Sequence, residues 1–267
     1  MNDRLRPDRD AVGATSLAPQ RHQFILDELA RTGQVVATQI AETLGVTHET
    51  VRKDLMLLQS EGHLRRVHGG AVGVGSLTRE EPVATRTAYA QEKARIARAA
   101  LDFVPLDGAI ILDAGTSTAA LADALPVAPA LRAITNSLPI ALSLLPKVGA
   151  VSILGGRVRE ITQATVDQWA LSAVRSVRAD VAFLGANAVS IGHGLATPDE
   201  PEAAVKAALL GAARFRVLLS DHSKLGRESI YRYGELADLD VLITDTGLPS
   251  AEAEAITRAT GVEVLRV

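Results

Sequence analysis

Residues 47–72 read THETVRKDLMLLQSEGHLRRVHGGAV, and the pattern in this stretch decides how the first part of the chain is organised. Thr47 stands where an N-cap is favoured, because its hydroxyl can accept a first-turn N–H, and Glu49 suits the positive end of the helix dipole. Val51, Leu55 and Leu58 recur at i, i+4 and i+7, so one face of a helix running to about Ser60 is apolar. Glu49, Lys53 and Met56 then point away from that face, with Thr50 and Arg52 on its flanks. Beyond Gly62, Leu64 and Val67 alternate with polar residues, and Gly69-Gly70 allow a sharp turn: the pattern of a hairpin that carries Arg65, Arg66 and His68.

Two helices precede this stretch. HQFILDELART (22–32) puts Ile25, Leu26 and Leu29 on one face before the stop signal Gly33, and TQIAETLG (38–45) turns Ile40 and Leu44 inward. Gly45-Val46 supplies the tight turn before the third helix. Three such helices followed by a basic, glycine-tipped hairpin make a winged helix-turn-helix, which points to duplex DNA. Wing cations would lie along phosphates, which positions a protein without choosing a sequence. Base choice would fall to the start of the third helix, at Thr47, His48, Glu49, Thr50, Arg52 and Lys53, a good bidentate pair discriminating by about 1–3 kcal/mol. The competing reading is a small helical bundle with a solvated charged face, which Glu49, Asp54 and Glu61 support. Net charge does not favour DNA, since residues 1–75 carry nine Lys/Arg against nine Asp/Glu and the pI is near 6.1.

The whole chain, 267 residues with 47% hydrophobic and 22% charged content, is long enough for a small domain beside a medium one. Absence of cysteine removes disulfides, thiolate zinc sites and thiol nucleophiles, and the six histidines are scattered without ligand spacing, so neither metal nor cofactor is implied. Residues 1–20 alternate charges and read as a disordered tail rather than a signal peptide. No apolar run reaches the ~20 residues of a membrane span, and a cytoplasmic protein is expected.

Residues 21–75 form the first domain in this reading, 76–92 a linker, and 93–267 a second, larger domain. The glycines of AVGVG (71–75) do not make a dinucleotide loop, because no strand feeds them. In the second domain, apolar runs at 109–112, 131–135, 150–154, 181–184, 216–220, 241–244 and 262–267 alternate with helical stretches at 119–125, 139–145, 168–177, 202–213 and 251–259. That alternation predicts an α/β fold with a mostly parallel sheet covered on both faces.

Ligands settle outside the carboxyl ends of strands in such sheets. Asp113-Ala114-Gly115-Thr116-Ser117-Thr118 follows the first strand and opens a helix, so amides, hydroxyls and the dipole favour an anion there. A plain strand-to-helix turn capped by threonine explains the same residues. Other strand ends carry Thr135-Asn136-Ser137, Leu154-Gly155-Gly156-Arg157 and Gly185-Ala186-Asn187. Two lysines, Lys206 and Lys224, could supply positive charge, although Lys206 sits four residues after Glu202 and Lys224 beside Asp221, the spacings of ordinary ion pairs.

The segment 47–72 resembles the N-terminal signature of the DeoR family of bacterial repressors. DAGTSTAALADAL, AITNSLPIA, ILGGRVRE, RADVAFLGANAVS, GLATPDEPEAAVKAAL, LLSDHSKLGR and LADLDVLITDTGLP resemble successive blocks of the same family's sensor domain. The resemblance runs from Arg21 to Pro249. It implies a winged helix-turn-helix joined to an α/β domain similar in fold to ribose-5-phosphate isomerase, with phosphate on the loop Gly115–Thr118. It also implies that Asp113, Asn136, Gly155, Gly156, Lys206, Asp221 and Lys224 surround the ligand. The partners it implies are operator DNA, a phosphorylated sugar that relieves repression of an uptake or catabolic operon, and further copies of the chain in a dimer or tetramer. One departure stands out: where many members carry Gly-Pro after the GG block, this chain has Thr165-Val166-Asp167-Gln168. Asp167 either edges the pocket or caps the next helix. Two other functions fit less well. A sugar-phosphate isomerase would need a base among Asp113, Glu202 and Asp221, and no second proton-transfer group stands at a recognisable spacing from them. A second domain that only oligomerises would have no use for the hydroxyl loop and both lysines.

Overall fold

The computed structural model describes residues 17–32, 34–67, 69–73, 77, 78 and 80–267, which fall into two compact units meeting between Ser76 and Leu77. The first is built of α1 (Ala18–Thr32), β1 (Gln34–Val36), α2 (Ala37–Leu44), α3 (His48–Ser60), β2 (Leu64–Val67) and β3 (Gly70–Gly73). Helix α1 begins at Ala18, inside the stretch read as a tail, whose residues 1–16 lie outside the described residues. The predicted apolar stripes close on one another: Ile25, Leu29, Ile40, Leu44, Val51, Leu55, Leu58 and Leu64 form one core. Asp54 does not belong to a solvated face. It is buried and accepts from Arg21 Nε at 2.8 Å and Nη2 at 3.0 Å, with His22 Nε2 at 2.9 Å, which pins α1 to α3.

The wing is a three-stranded sheet in the order β1-β3-β2, because the short strand Gln34–Val36, unmarked in the sequence, adds to the hairpin. Two glycines make this possible. Gly69 adopts φ +80° at the turn, and a Cβ on Gly70 would lie 2.0 Å from the carbonyl oxygen of Val35.

The second unit contains α4 (Ala90–Ala100), β4 (Gly108–Leu112), α5 (Thr116–Ala124), β5 (Ala128–Thr135), α6 (Leu138–Leu144), β6 (Val148–Ile153), β7 (Arg157–Arg159), β8 (Ala164–Val166) and α7 (Asp167–Arg175). It continues through β9 (Ala179–Leu184), β10 (Ala188–Ser190), β11 (Gly194–Thr197), α8 (Glu200–Gly211), β12 (Ala213–Leu219), β13 (Tyr231–Gly234), β14 (Val241–Thr244), α9 (Ser250–Thr260) and β15 (Glu263–Arg266). Seven strands form the central sheet in the order β15-β14-β12-β9-β4-β5-β6, all neighbours parallel. They are the seven apolar runs of the sequence.

Alternate residues of each strand serve opposite faces. Ile110, Leu112, Val181, Phe183, Val217 and Ile243 pack with α4, α5 and α6, whereas Ile111, Ala182, Leu184, Leu218 and Leu242 pack with α7, α8 and α9. From β4 the chain first builds outward through β5 to β6, then returns to β9 on the other side of β4 and builds through β12 to β15. The order therefore reverses between β4 and β9, which opens a crevice at their carboxyl ends.

Residues 77, 78 and 80–89, within the stretch read as linker, belong to this second unit: Val83 N donates to Ile161 O at 2.7 Å, and α4 starts at Ala90 rather than beyond residue 92. The hairpin β7-β8 and the sheet β10-β11-β13 are further additions to the expected elements. No described helix is long and apolar enough to cross a membrane.

Candidate functional site

Helix α3 presents its first turn on the surface of the first unit. Thr47 is its N-cap: Oγ1 accepts from Thr50 N at 3.1 Å and lies 2.8 Å from the Thr50 hydroxyl. His48, Glu49, Arg52 and Lys53 are exposed. Arg52 is already engaged, donating through Nε and Nη2 to the two Glu49 carboxylate oxygens at 2.7 Å each, with Nη1 at 3.4 Å from Met56 Sδ. Its guanidinium is thereby aimed along the exposed face of the helix, and the pairing lowers the Glu49 pKa. Arg66 is exposed and anchors the wing to α3 through its N–H, which donates to Gln59 Oε1 at 2.9 Å. The backbone of Arg65 lies in β2, and His68 is outside the described residues.

In the second unit the predicted residues stand at the carboxyl ends of the central strands. Asp113 leaves β4 at the reversal of strand order, fully buried. Its Oδ2 accepts from Gly185 N at 3.0 Å, at the end of β9, and from Lys206 Nζ; its Oδ1 accepts from Ala114 N at 2.8 Å. Lys206 does not pair with Glu202 as the four-residue spacing suggests. It reaches from α8 into the crevice, binds Asp113 and donates to Gly185 O at 3.1 Å, with the Tyr233 ring centroid 5.7 Å away. Tyr233 Oη donates to the same Gly185 carbonyl at 2.8 Å, and burial pushes its phenol pKa up.

Asn136 is spent on the protein itself: Oδ1 accepts from Ala114 N at 3.1 Å and Nδ2 donates to Thr165 O at 3.4 Å, stitching β4, β5 and β8. Gly156 is required by close approach, since a Cβ there would meet Val166 O at 2.4 Å, while Gly155 faces open space. Helix α5 has Gly115 as its N-cap and no side chain caps its first turn. Of the three hydroxyls, that of Thr118 turns inward to Gly115 O at 2.9 Å; those of Thr116 and Ser117 stand at the helix start. The first-turn amides are thus available to an external acceptor.

Asp221 and Lys224 form a second group at the end of β12. Asp221 is buried, accepts from Ser223 N at 3.1 Å and lies 4.0 Å from Lys93 Nζ. Burial pushes the pKa of both Lys93 and Lys224 down, against the opposing pull of Asp221. Lys93 was missed in the sequence reading. Its signal is a lysine on the buried face of a helix, beside Ile96, Ala97 and Ala100. Also missed is the neighbouring pair His222 Nδ1–Asp245 Oδ2 at 2.7 Å, which raises the His222 pKa and holds Asp245 at about 2.

Asp167 neither caps a helix nor enters this crevice's polar network. It is the first residue of α7, preceded by Val166 as N-cap, adopts φ +75° and pairs with Arg157 Nε at 2.8 Å on the surface. A short polar side chain tolerates the left-handed region that otherwise favours glycine. Among the described residues no group of three or more His, Asp or Glu side chains is arranged to hold a metal.

Comparison with known proteins matches residues 21–76 to the DeoR-like helix-turn-helix domain and residues 88–246 to the DeoR C terminal sensor domain. An uncharacterized HTH-type transcriptional regulator, YgbI of Escherichia coli (strain K12), is 34% identical over 90% of this chain and 94% of that protein. The glycerol-3-phosphate regulon repressor of the same organism is 29% identical over 89% and 95%. The fold also superposes on ribose 5-phosphate isomerase A from Methanocaldococcus jannaschii over 52% of this chain and 55% of that one, with a TM-score of 0.39 and 18% identity, too distant to bear on the chemistry. Helix-turn-helix unit and sensor unit together, the chain belongs to the DeoR family of transcriptional regulators.

Proposed function

We propose that this regulator is a repressor that binds operator DNA through α3 and the wing, and that a phosphorylated sugar seated at the carboxyl ends of β4, β9 and β12 releases it. The observation that carries the effector half is the start of α5. Its first turn has no side-chain cap, opens beside the strand-order reversal, and has the hydroxyls of Thr116 and Ser117 at its mouth. Gly115, Thr116, Ser117 and Thr118 take the phosphate in this reading. Lys224 and Lys93 supply charge, and Gly155, beside which a side chain would have open space, borders the sugar. Asp113 and Lys206 shape the floor rather than compete for the ligand, because each already satisfies the other. Asp113, Asp221 and Glu202, the candidate bases of an isomerase, each already have a partner within the protein, which favours the regulator reading.

On the DNA side, Arg52 must exchange Glu49 for a base or phosphate. Both side chains are about half exposed, at 52% and 54%, so water assists the exchange and its cost is small. Thr47, His48, Thr50 and Lys53 lie at the same end of α3, and Arg65, Arg66 and His68 belong to the wing that would flank the duplex. Paired half-sites call for a dimer or tetramer, acting in the cytoplasm.

The test is operator binding by the full chain at fixed salt, using its own upstream DNA and a panel of sugar phosphates with their unphosphorylated parents. Release by one phosphorylated compound and not by its parent is expected. Tight binding that no phosphate alters would overturn the effector half and leave DNA binding standing.

A further inference from the structure

The first described residues of the sensor unit, from Leu77 on, are tied down by an ion cluster centred on Glu80, a residue given no role above. Leu77 O accepts from Ile230 N at 3.2 Å and from Ser229 Oγ at 2.6 Å, and Val83 N is bonded to Ile161 O. Between these anchors Glu80 buries its carboxylate, 4% exposed, against two guanidiniums: Arg86 Nη2 at 2.9 Å and Arg159 Nη2 at 2.6 Å. Asn187 Nδ2, from the loop after β9, adds a bond to Glu80 Oε1 at 3.4 Å.

Arg159 is shared. Its Nε lies 3.1 Å from Asp199 Oδ2 and its Nη1 3.4 Å from Glu202 Oε1. Among the described residues three carboxylates therefore divide these two arginines, and a gain for one is a loss for another. Glu202 is joined to Thr162, and the Thr197 hydroxyl stands between Glu202 Oε2 at 3.5 Å and Asn187 Oδ1 at 3.1 Å. One helical turn further along α8, Lys206 closes on Asp113 at the reversal of strand order. Helix α8 thus carries one residue at the floor of the crevice and one in the Glu80 cluster, and Asn187 stands two residues after Gly185, which bonds to both Asp113 and Lys206. Separating a buried carboxylate from its arginine leaves an uncompensated charge, so such a contact is held or released rather than loosened by degrees.

We infer that Glu80 is the positioning residue that couples the two functions: a ligand in the crevice changes operator affinity by changing what Arg159 and Asn187 offer the Glu80 carboxylate. This rests on the regulator reading above. Linkage then requires that DNA and ligand affinities shift by the same factor, and the inference requires that both shifts vanish when the contact is removed.

The experiment compares full-length wild type, Glu80→Gln, Glu80→Asp and Glu81→Gln, each checked for native circular dichroism. Glu81 is exposed and carries the same charge one residue away, so it controls for the long-range effect of charge on DNA binding. Operator Kd is measured alone and with saturating glycerol 3-phosphate, ribose 5-phosphate or fructose 1-phosphate. Glu80→Gln is expected to move the ligand-free operator Kd about tenfold and to bring the ratio of Kd with and without ligand close to one. Glu80→Asp, charged but shorter, falls between, and Glu81→Gln stays within twofold of wild type. If Glu80→Gln follows Glu81→Gln in both measurements, the inference is overturned. If wild type responds to none of the phosphates, the effector proposal fails for them, while the ligand-free comparison of Glu80→Gln with Glu81→Gln still decides whether Glu80 sets operator affinity. Should Glu80→Gln not fold, Glu80→Asp against Glu81→Gln decides it, the inference failing if the two coincide.

Discussion

Two ion pairs in this protein are equally close in kind and opposite in consequence. Glu49 and Arg52 meet on the surface of α3, each about half exposed, whereas Asp113 and Lys206 meet at the floor of the sensor crevice with side chains 0% and 5% exposed. In water the first pair gains little, since screening and side-chain entropy offset the attraction. The second was taken out of water when the sheet closed, and neither partner can be lost without stranding the other. A surface pair of that kind can change partners when a ligand arrives, and a buried one fixes the frame against which the change is felt. The start of α3 thus carries an exchangeable contact and the floor of the crevice a permanent one.

The contrast can be broken most severely at the buried pair. Lys206→Met leaves Asp113 without a counterion, and destabilisation of about 3–5 kcal/mol in urea unfolding is expected. A loss under about 1 kcal/mol would mean that Gly185 N and Ala114 N suffice for the carboxylate. Next comes acid. Asp245 titrates at about 2 in the folded chain against a usual 3.8, so its contribution is present above pH 3.8 and is lost as pH falls through 2, by roughly 2 kcal/mol. Its partner His222 is raised, so the complementary loss appears as pH rises above 6.5 through the raised value. The His222–Asp245 pair stabilises most between these limits, and a stability profile of His222→Gln should lack the alkaline loss. Thr47→Ala removes the cap of α3 and is expected to cost about 1 kcal/mol in thermal unfolding. Smallest is the exposed pair: Glu49→Gln should leave the unfolding midpoint at the wild-type value while tightening DNA binding, most clearly at low salt, because Arg52 is released and a negative charge removed. A shifted midpoint would show that the pair holds α3 together.

The sequence already contained the frame of both units and little of what joins them. Apolar runs such as Val181–Leu184 are short, uninterrupted and bounded, so strands buried on both faces announce themselves. The strand Gln34–Val36 and the three-residue strands β7, β8 and β10 are too short for any periodicity, and they exist because a neighbouring strand offers hydrogen bonds. Site residues at strand ends were legible for the same reason as the strands. Their partners were not: Lys206 is separated from Asp113 by 93 positions, and its local neighbour Glu202 offered a plausible wrong answer. Glu80 and Arg86 fell in a stretch whose glycines and charges resemble a spacer, and Lys93 sat at the start of a helix, Ala90–Ala100, that was not anticipated.

The seam between β4 and β9 has a bearing on how the protein is made. Strands β4, β5 and β6 are close in sequence, as are β9, β12, β14 and β15, but Ala109 and Asp180 across the seam are 71 residues apart. Loop closure of that length comes late and slowly. As the chain leaves the ribosome, β4 must wait, one edge open, until β9 emerges. Pulse-labelled hydrogen exchange should find the β4 amides that face β9 protected after those shared by β12 and β14. The interval before the seam closes is when the newly made regulator is most open to pairing with the wrong chain, and it ends when Lys206 reaches Asp113.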